Sequence, residues 1–164
     1  MHDPTLAMAG YAALHWYLRS NRAGEGPGVD GGLILSQAAL ERLSVSVLRQ
    51  AGIILPRRAN AADRIRAAFQ HLKIVITIPR TSKTLRSWQR RGVVLDGLDA
   101  ITKLRNELVH PERRLPGKLS PAIPEAWQLA QWYTEVMLLK LCGYQGVYSN
   151  RLKAKWVGEV QPFP

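Results

Sequence analysis

The apolar positions fall into five stretches with helical spacing. In "DPTLAMAGYAALHWYLRSNR" they recur every three or four residues, with Asp3 placed to cap the helix and Pro4 suited to its first position. "GEGPGVDGG" then breaks the pattern. It is glycine-rich but lacks the Gly-Lys-Ser/Thr ending of a phosphate loop, so it reads as a linker. A second helix is predicted over "LILSQAALERLSVSVLRQ", stopping at Gly52, and a third over "NAADRIRAAFQHL" with Asn60 as its cap. The fourth covers "VLDGLDAITKLRNELVH" and halts at Pro111. The fifth begins near Pro121 or Pro124 and runs through "EAWQLAQWYTEVMLLKLC" to Gly143. Apolar residues cover most of its circumference, which places it centrally. "KIVITIPRTSKTLRSWQRRG" has no clear helical period; the β-branched "IVITI" suits a short strand or an extended connection before Pro79. The expected fold is all-α, an antiparallel bundle of about five helices over residues 1–143. Residues 144–164 form an extended tail packed on it within a single domain.

Two charged residues do not fit the faces these helices define. On the fourth helix, Leu98, Ile101, Leu104, Leu108 and Val109 share one broad face, and Asp96, Asp99, Lys103 and Glu107 cluster on the other. Arg105 falls near the middle of the apolar face, where a charge needs a partner or a crevice. On the second helix, Arg42 and Arg49 mark the wet side. Glu41 lies roughly 80–100° away from them, so a Glu41–Arg105 pair would resolve both anomalies. In a continuous helix His110 would sit about 140° around from Arg105. Pro111 biases His110 out of helical geometry, so the chain can swing its imidazole back toward the helix end. The macrodipole there favours a protonated ring, suited to proton transfer; a plain C-terminal cap is the alternative role.

Composition narrows the function classes. The 164 residues suit one domain, and no apolar run approaches the ~18 residues of a membrane span. Asp3 and the lack of a basic flank argue against a signal peptide, so a cytoplasmic protein is expected. The single cysteine, Cys142, excludes an internal disulfide and offers no metal cluster; it reads as a small core residue. No cofactor is expected. The formal charge of +11 is uneven: residues 56–118 hold fifteen basic and five acidic groups, and the flanking segments are close to neutral. A concentrated basic surface attracts polyanions, nucleic acid first among them.

"LRNELVHP" resembles the R-x4-6-H motif of the HEPN superfamily, with Arg105, four intervening residues and His110, and with Asn106 in the polar position after the arginine. "LILSQAALERLSVSVL" is similar to the Leu-Glu helix of prokaryotic ApeA-like HEPN proteins, and "LLKLCGYQGVYSNR" resembles their closing helix and tail. The resemblance spans roughly residues 11–160. It implies a homodimeric helical bundle and, for active members, a metal-independent endoribonuclease in which the RNA 2′-hydroxyl attacks the adjacent phosphorus. His110 would then act as general base or acid, Arg105 would stabilise phosphoryl charge, and Asn106 would orient the phosphate or cap the helix. It also implies a bacterial toxin–antitoxin, stress or phage-defence setting, with an antitoxin or a larger effector as partner. The alternative is a catalytically inactive HEPN module that binds RNA, nucleotide or a partner protein.

Further candidates surround this motif. "PRTSKTLRSWQRRG" interleaves Trp88 with Arg80, Lys83, Arg86, Arg90 and Arg91, a composition suited to RNA backbone and base stacking, or to a loop whose Trp88 packs on the bundle. Arg113 and Arg114 extend the basic run beyond His110 as RNA contacts. His15 reads as structural and His71 as a cap. In the tail, Tyr144, Tyr148 and Trp156 near Arg151, Lys153 and Lys155 suit packing or a dimer contact.

Overall fold

The computed structural model describes residues 4–22, 28–110, 115, 119–153, 156 and 158–164. They form six helices: α1 (Pro4–Asn21), α2 (Gly28–Gln50), α3 (Ala61–His71), α4 (Lys83–Arg90), α5 (Gly97–Val109) and α6 (Ala122–Leu141). A two-residue antiparallel pair, β1 (Val147–Tyr148) and β2 (Gln161–Pro162), closes the chain. The fold is all-α, with one helix more than the apolar period predicts. The Asp3 cap lies outside the described residues, as do residues 24–27 of the linker; the remainder of that glycine-rich stretch is the first turn of α2.

α2 and α6 form the spine. Leu33, Leu40 and Leu43 of α2 and Leu129, Tyr133 and Met137 of α6 are all fully buried. A buried polar node joins three helices. Ser20 Oγ at the end of α1 donates to the Gly32 carbonyl at 2.7 Å and accepts from Trp127 Nε1 at 2.9 Å. It also meets Ser36 Oγ at 2.8 Å and the Gln131 side-chain amide. Gly32 permits this approach, because a Cβ there would lie 2.7 Å from Trp127 Nε1. The successive contacts of Gly32 with Trp127 and Ser36 with Gln131 show that α2 and α6 run parallel.

α3 begins at a capping box: Asn60 Oδ1 accepts from the Asp63 N–H at 3.0 Å, and Asp63 returns a bond to the Asn60 N–H at 3.1 Å. The "IVITI" segment is not a strand. Ile74 and Ile78 are buried and Val75 and Thr77 exposed, so it keeps a strand-like alternation, but it packs on the bundle rather than on another strand. Its Thr77 carbonyl accepts from the Tyr133 hydroxyl at 3.0 Å, and burial pushes that phenol's pKa well above its ordinary value.

α4 corrects the reading of "KTLRSWQR" as non-helical. Leu85 and Trp88, one turn apart, are buried at 0% and 2% exposure, so Trp88 is a core residue and not a free stacking platform. No local side chain caps this helix. Its first free amides, Thr84 and Leu85 N–H, donate to the carboxylate of Glu125 on α6 at 3.1 and 2.9 Å. Cys142 is likewise not a core residue: it falls one position past the end of α6 and is exposed.

The tail is tied to the bundle. Trp132 Nε1 donates to the Tyr148 hydroxyl at 3.3 Å, and Lys140 Nζ donates to the Pro164 carbonyl at 2.9 Å. Arg151 Nε reaches Glu135 at 2.7 Å while its Nη2 bonds Tyr17 and Asn21 of α1. Lys155 lies outside the described residues.

Candidate active site at the end of α5

α5 starts from a firm anchor. Asp96 accepts from the Asp99 N–H at 2.8 Å as its N-cap, and the Arg66 guanidinium grips Asp96 at 2.8 Å and Asp63 at 2.8 Å. The bond to Asp96 is the main reason that the Arg66 pKa is raised. Gly97 packs under Leu129 and Tyr133 of α6, where a Cβ would come within 2.8 Å of the one and 2.7 Å of the other. Leu98, Ile101 and Leu104 are fully buried, which fixes the rotation of the helix and therefore the direction of Arg105.

Arg105 is partly buried along the side of α5. Its Nη1 donates to Asn106 Oδ1 at 3.2 Å, and its Nε is buried without a hydrogen-bond partner. The expected Glu41–Arg105 pair does not form. Glu41 Oε1 instead accepts from Arg64 Nη1 on α3 at 3.1 Å, and Oε2 accepts from Gln37 at 3.3 Å. α3 supplies the competing cation. Arg64 and Arg66, two residues apart on α3, bind Glu41 and Asp96 respectively, and Asp96 is the cap residue at the start of α5. Arg105 lies nine residues further along, about 13 Å of helix. Among the described residues Arg105 therefore makes no ion pair with a carboxylate.

At the end of α5 the His110 N–H donates to the Asn106 carbonyl at 2.7 Å. His110 itself leaves the helix with φ −125° and ψ 91° and is exposed. Glu107, three residues before His110, is engaged elsewhere: it accepts the Leu115 N–H at 2.8 Å. The last turn of α5 thus holds a guanidinium, an amide and an exposed imidazole within six residues.

The other expected contacts divide. Arg80, Lys83, Arg86, Arg90 and Arg91 are all exposed. Lys83, Arg86 and Arg90 recur at helical spacing on the face of α4 opposite Leu85 and Trp88. Arg86 donates to the Ile78 carbonyl at 3.5 Å, and none of the five forms an ion pair among the described residues. The end of α4 is tied to α5 through Gln89 Nε2 to the Leu95 carbonyl at 3.0 Å and Lys103 Nζ to the Val93 carbonyl at 2.8 Å. Arg113 and Arg114 lie outside the described residues. His15 and His71 are exposed. Among the described residues, no three His, Cys, Asp or Glu side chains gather as a metal-binding group. No described helix is long and apolar enough to cross a membrane. Sequence reasoning missed Arg64 as the partner of Glu41 and Glu125 as the cap of α4; both act across elements, at separations that periodicity does not reach.

Residues 3–161 match the model of the YopA C-terminal domain family. The chain is 28% identical over 166 residues to the SPbeta prophage-derived protein YopA of Bacillus subtilis (strain 168). The match covers 98% of this chain and 36% of that protein, so the chain spans about a third of its relative. No solved structure matches.

Proposed function

The chain belongs to the YopA C-terminal domain family, and from the end of α5 we propose that it is a metal-independent endoribonuclease of the HEPN kind, working as a homodimer in the cytoplasm. One observation carries the reading. Arg105 is held against α5 by Asn106 and free of any carboxylate among the described residues, one turn from an exposed His110. A guanidinium neutralised by Glu41 would have little to offer a phosphate, and Arg64 takes that carboxylate instead.

In the proposed step the RNA 2′-hydroxyl attacks the adjacent phosphorus and the bond to the 5′-oxygen breaks. A 2′,3′-cyclic phosphate and a 5′-hydroxyl end result. His110 of one protomer removes the 2′-hydroxyl proton, and the partner's His110 protonates the departing 5′-oxygen. Arg105 donates to the phosphoryl oxygens as their charge builds, and Asn106 keeps the guanidinium in place. The exposed row of Lys83, Arg86 and Arg90, with Arg80 and Arg91, supplies the sequence-independent attraction for the strand. The prophage origin of the similar protein fits a role in phage–host conflict. The similar protein is nearly three times as long, which fits a domain that works as one module of a larger effector.

The same cationic row supports a second reading, an RNA-binding module without cleavage. Incubation with single-stranded and structured RNA in chelator separates the two. Fragments ending in 2′,3′-cyclic phosphate support the nuclease; tight binding with intact RNA at every protein concentration supports the binding module.

A further inference from the structure

A second cluster of guanidinium groups lies away from α5. Arg49 in the last turn of α2, Arg57 in the connector that follows, and Arg64 on α3 line one open concavity of about 320 Å3. Val45, Ile53 and Leu55 supply an apolar wall. Three successive elements thus deliver three cations to one hollow. Among the described residues only Arg64 of the three has an acidic partner, Glu41 at 3.1 Å through Nη1, and its other donors remain open. Arg49 and Arg57 form no ion pair among the described residues. Asp63, the nearest acid along α3, is already bound by Arg66 at 2.8 Å. Like charges that converge repel one another, and dispersal into water would relieve them; an anion bound between them relieves them in place.

We propose that this hollow binds a small phosphorylated molecule of mononucleotide size. Arg49, Arg57 and the free edge of Arg64 hold its phosphoryl oxygens, and the apolar wall receives its body. Guanidinium forks match phosphate geometry in paired hydrogen bonds, which a scattered lysine surface does not. The volume lies at the lower end of the range for small-molecule sites. The site is separate from the phosphodiester chemistry proposed for Arg105 and His110. The hollow is lined from α2, α3 and the connector between them, and no residue of α4 or α5 lines it.

The test is equilibrium binding of adenosine 5′-monophosphate at constant ionic strength, on the whole chain, with adenosine and inorganic phosphate as separate probes. Arg57→Gln in the exposed connector is expected to weaken the nucleotide about tenfold or more, as the loss of a charge-assisted contact does. Arg91→Gln on α4 and Arg105→Ala on α5 leave it unchanged. Adenosine binds at least tenfold more weakly than the nucleotide, and the difference shrinks in Arg57→Gln. Loss of nucleotide binding in Arg105→Ala with Arg57→Gln unaffected would assign the ligand to the other site and overturn the proposal. So would equal losses in Arg57→Gln and Arg91→Gln, or no binding by the native chain. A 5′-phosphorylated RNA oligomer that displaces the nucleotide while its 5′-hydroxyl counterpart does not would name an RNA end as the source of the phosphate. Displacement by neither would name the free nucleotide. RNA cleavage is not read in this experiment, so failure here leaves the nuclease proposal standing, and the reverse holds.

Discussion

Arg64 Nη1 lies 3.1 Å from Glu41 Oε1, with 43% and 33% of the two side chains exposed. At that exposure water and salt screen the pair, and its loss costs at most about 1 kcal/mol. Glu41→Gln is therefore expected to lower Tm only slightly in thermal unfolding. It is also expected to leave RNA cleavage at the wild-type rate, since the carboxylate does not touch Arg105. A large fall in cleavage with Tm preserved would show that Glu41 serves the site after all.

Trp88 and the cations around it should separate by experiment. Trp88→Ala removes a core side chain and is expected to destabilise the fold by about 3–5 kcal/mol in denaturant unfolding. Lys83→Gln, Arg86→Gln and Arg90→Gln should leave stability within about 0.5 kcal/mol. Each should weaken RNA binding and reduce the slope of log affinity against log salt by about 0.7 for a single strand.

Ser20 carries the polar node between α1, α2 and α6. Ser20→Ala strands a fully buried Gln131 amide donor, with an expected cost of about 1–3 kcal/mol, and removes the acceptor of the partly buried Trp127 Nε1–H, which adds less. Gly32→Ala is expected to be destabilising as well, because its Cβ would meet Trp127 Nε1. Chemical denaturation of both variants checks this; a neutral result for Ser20→Ala would mean that water or a shifted Ser36 replaces the hydroxyl.

Tyr17 and Tyr133 have pKa values raised above 10.0, chiefly by burial and, for Tyr17, then by its bond to Glu135. A raised value means that the neutral phenol is favoured in the folded state. That contribution is complete below the unfolded value of 10.0 and is lost as pH rises past it. Tm is expected to fall in the alkaline range, and Tyr17→Phe should make that fall shallower.

Much of the bundle is legible because its determinants are local. Asn60 followed three residues later by Asp63 spells a helix start, and the apolar stripe of Leu98, Ile101 and Leu104 marks the buried face of α5. The same stripe shows that Arg105 is misplaced for a solvent charge. What escapes is set across elements. α4 hides because charges crowd its exposed face and its N-terminal amides rely on Glu125, some forty residues away. Periodicity gives the angle of Glu41 around α2 but not its height relative to α5, so Arg64 was invisible as its partner. Cys142 shows the limit at a helix end, where one residue of overrun turns an expected core position into an exposed one.

The most direct measurement is the single-turnover rate of RNA cleavage in chelator for the native protein, His110→Ala and Arg105→Ala, with the fold of each checked by circular dichroism. Both variants are expected to keep the native spectrum and lose about 10²–10⁴-fold in rate, the usual contribution of a positioned acid, base or charge donor. Native-like cleavage by either folded variant would contradict the assignment of the chemistry to the end of α5.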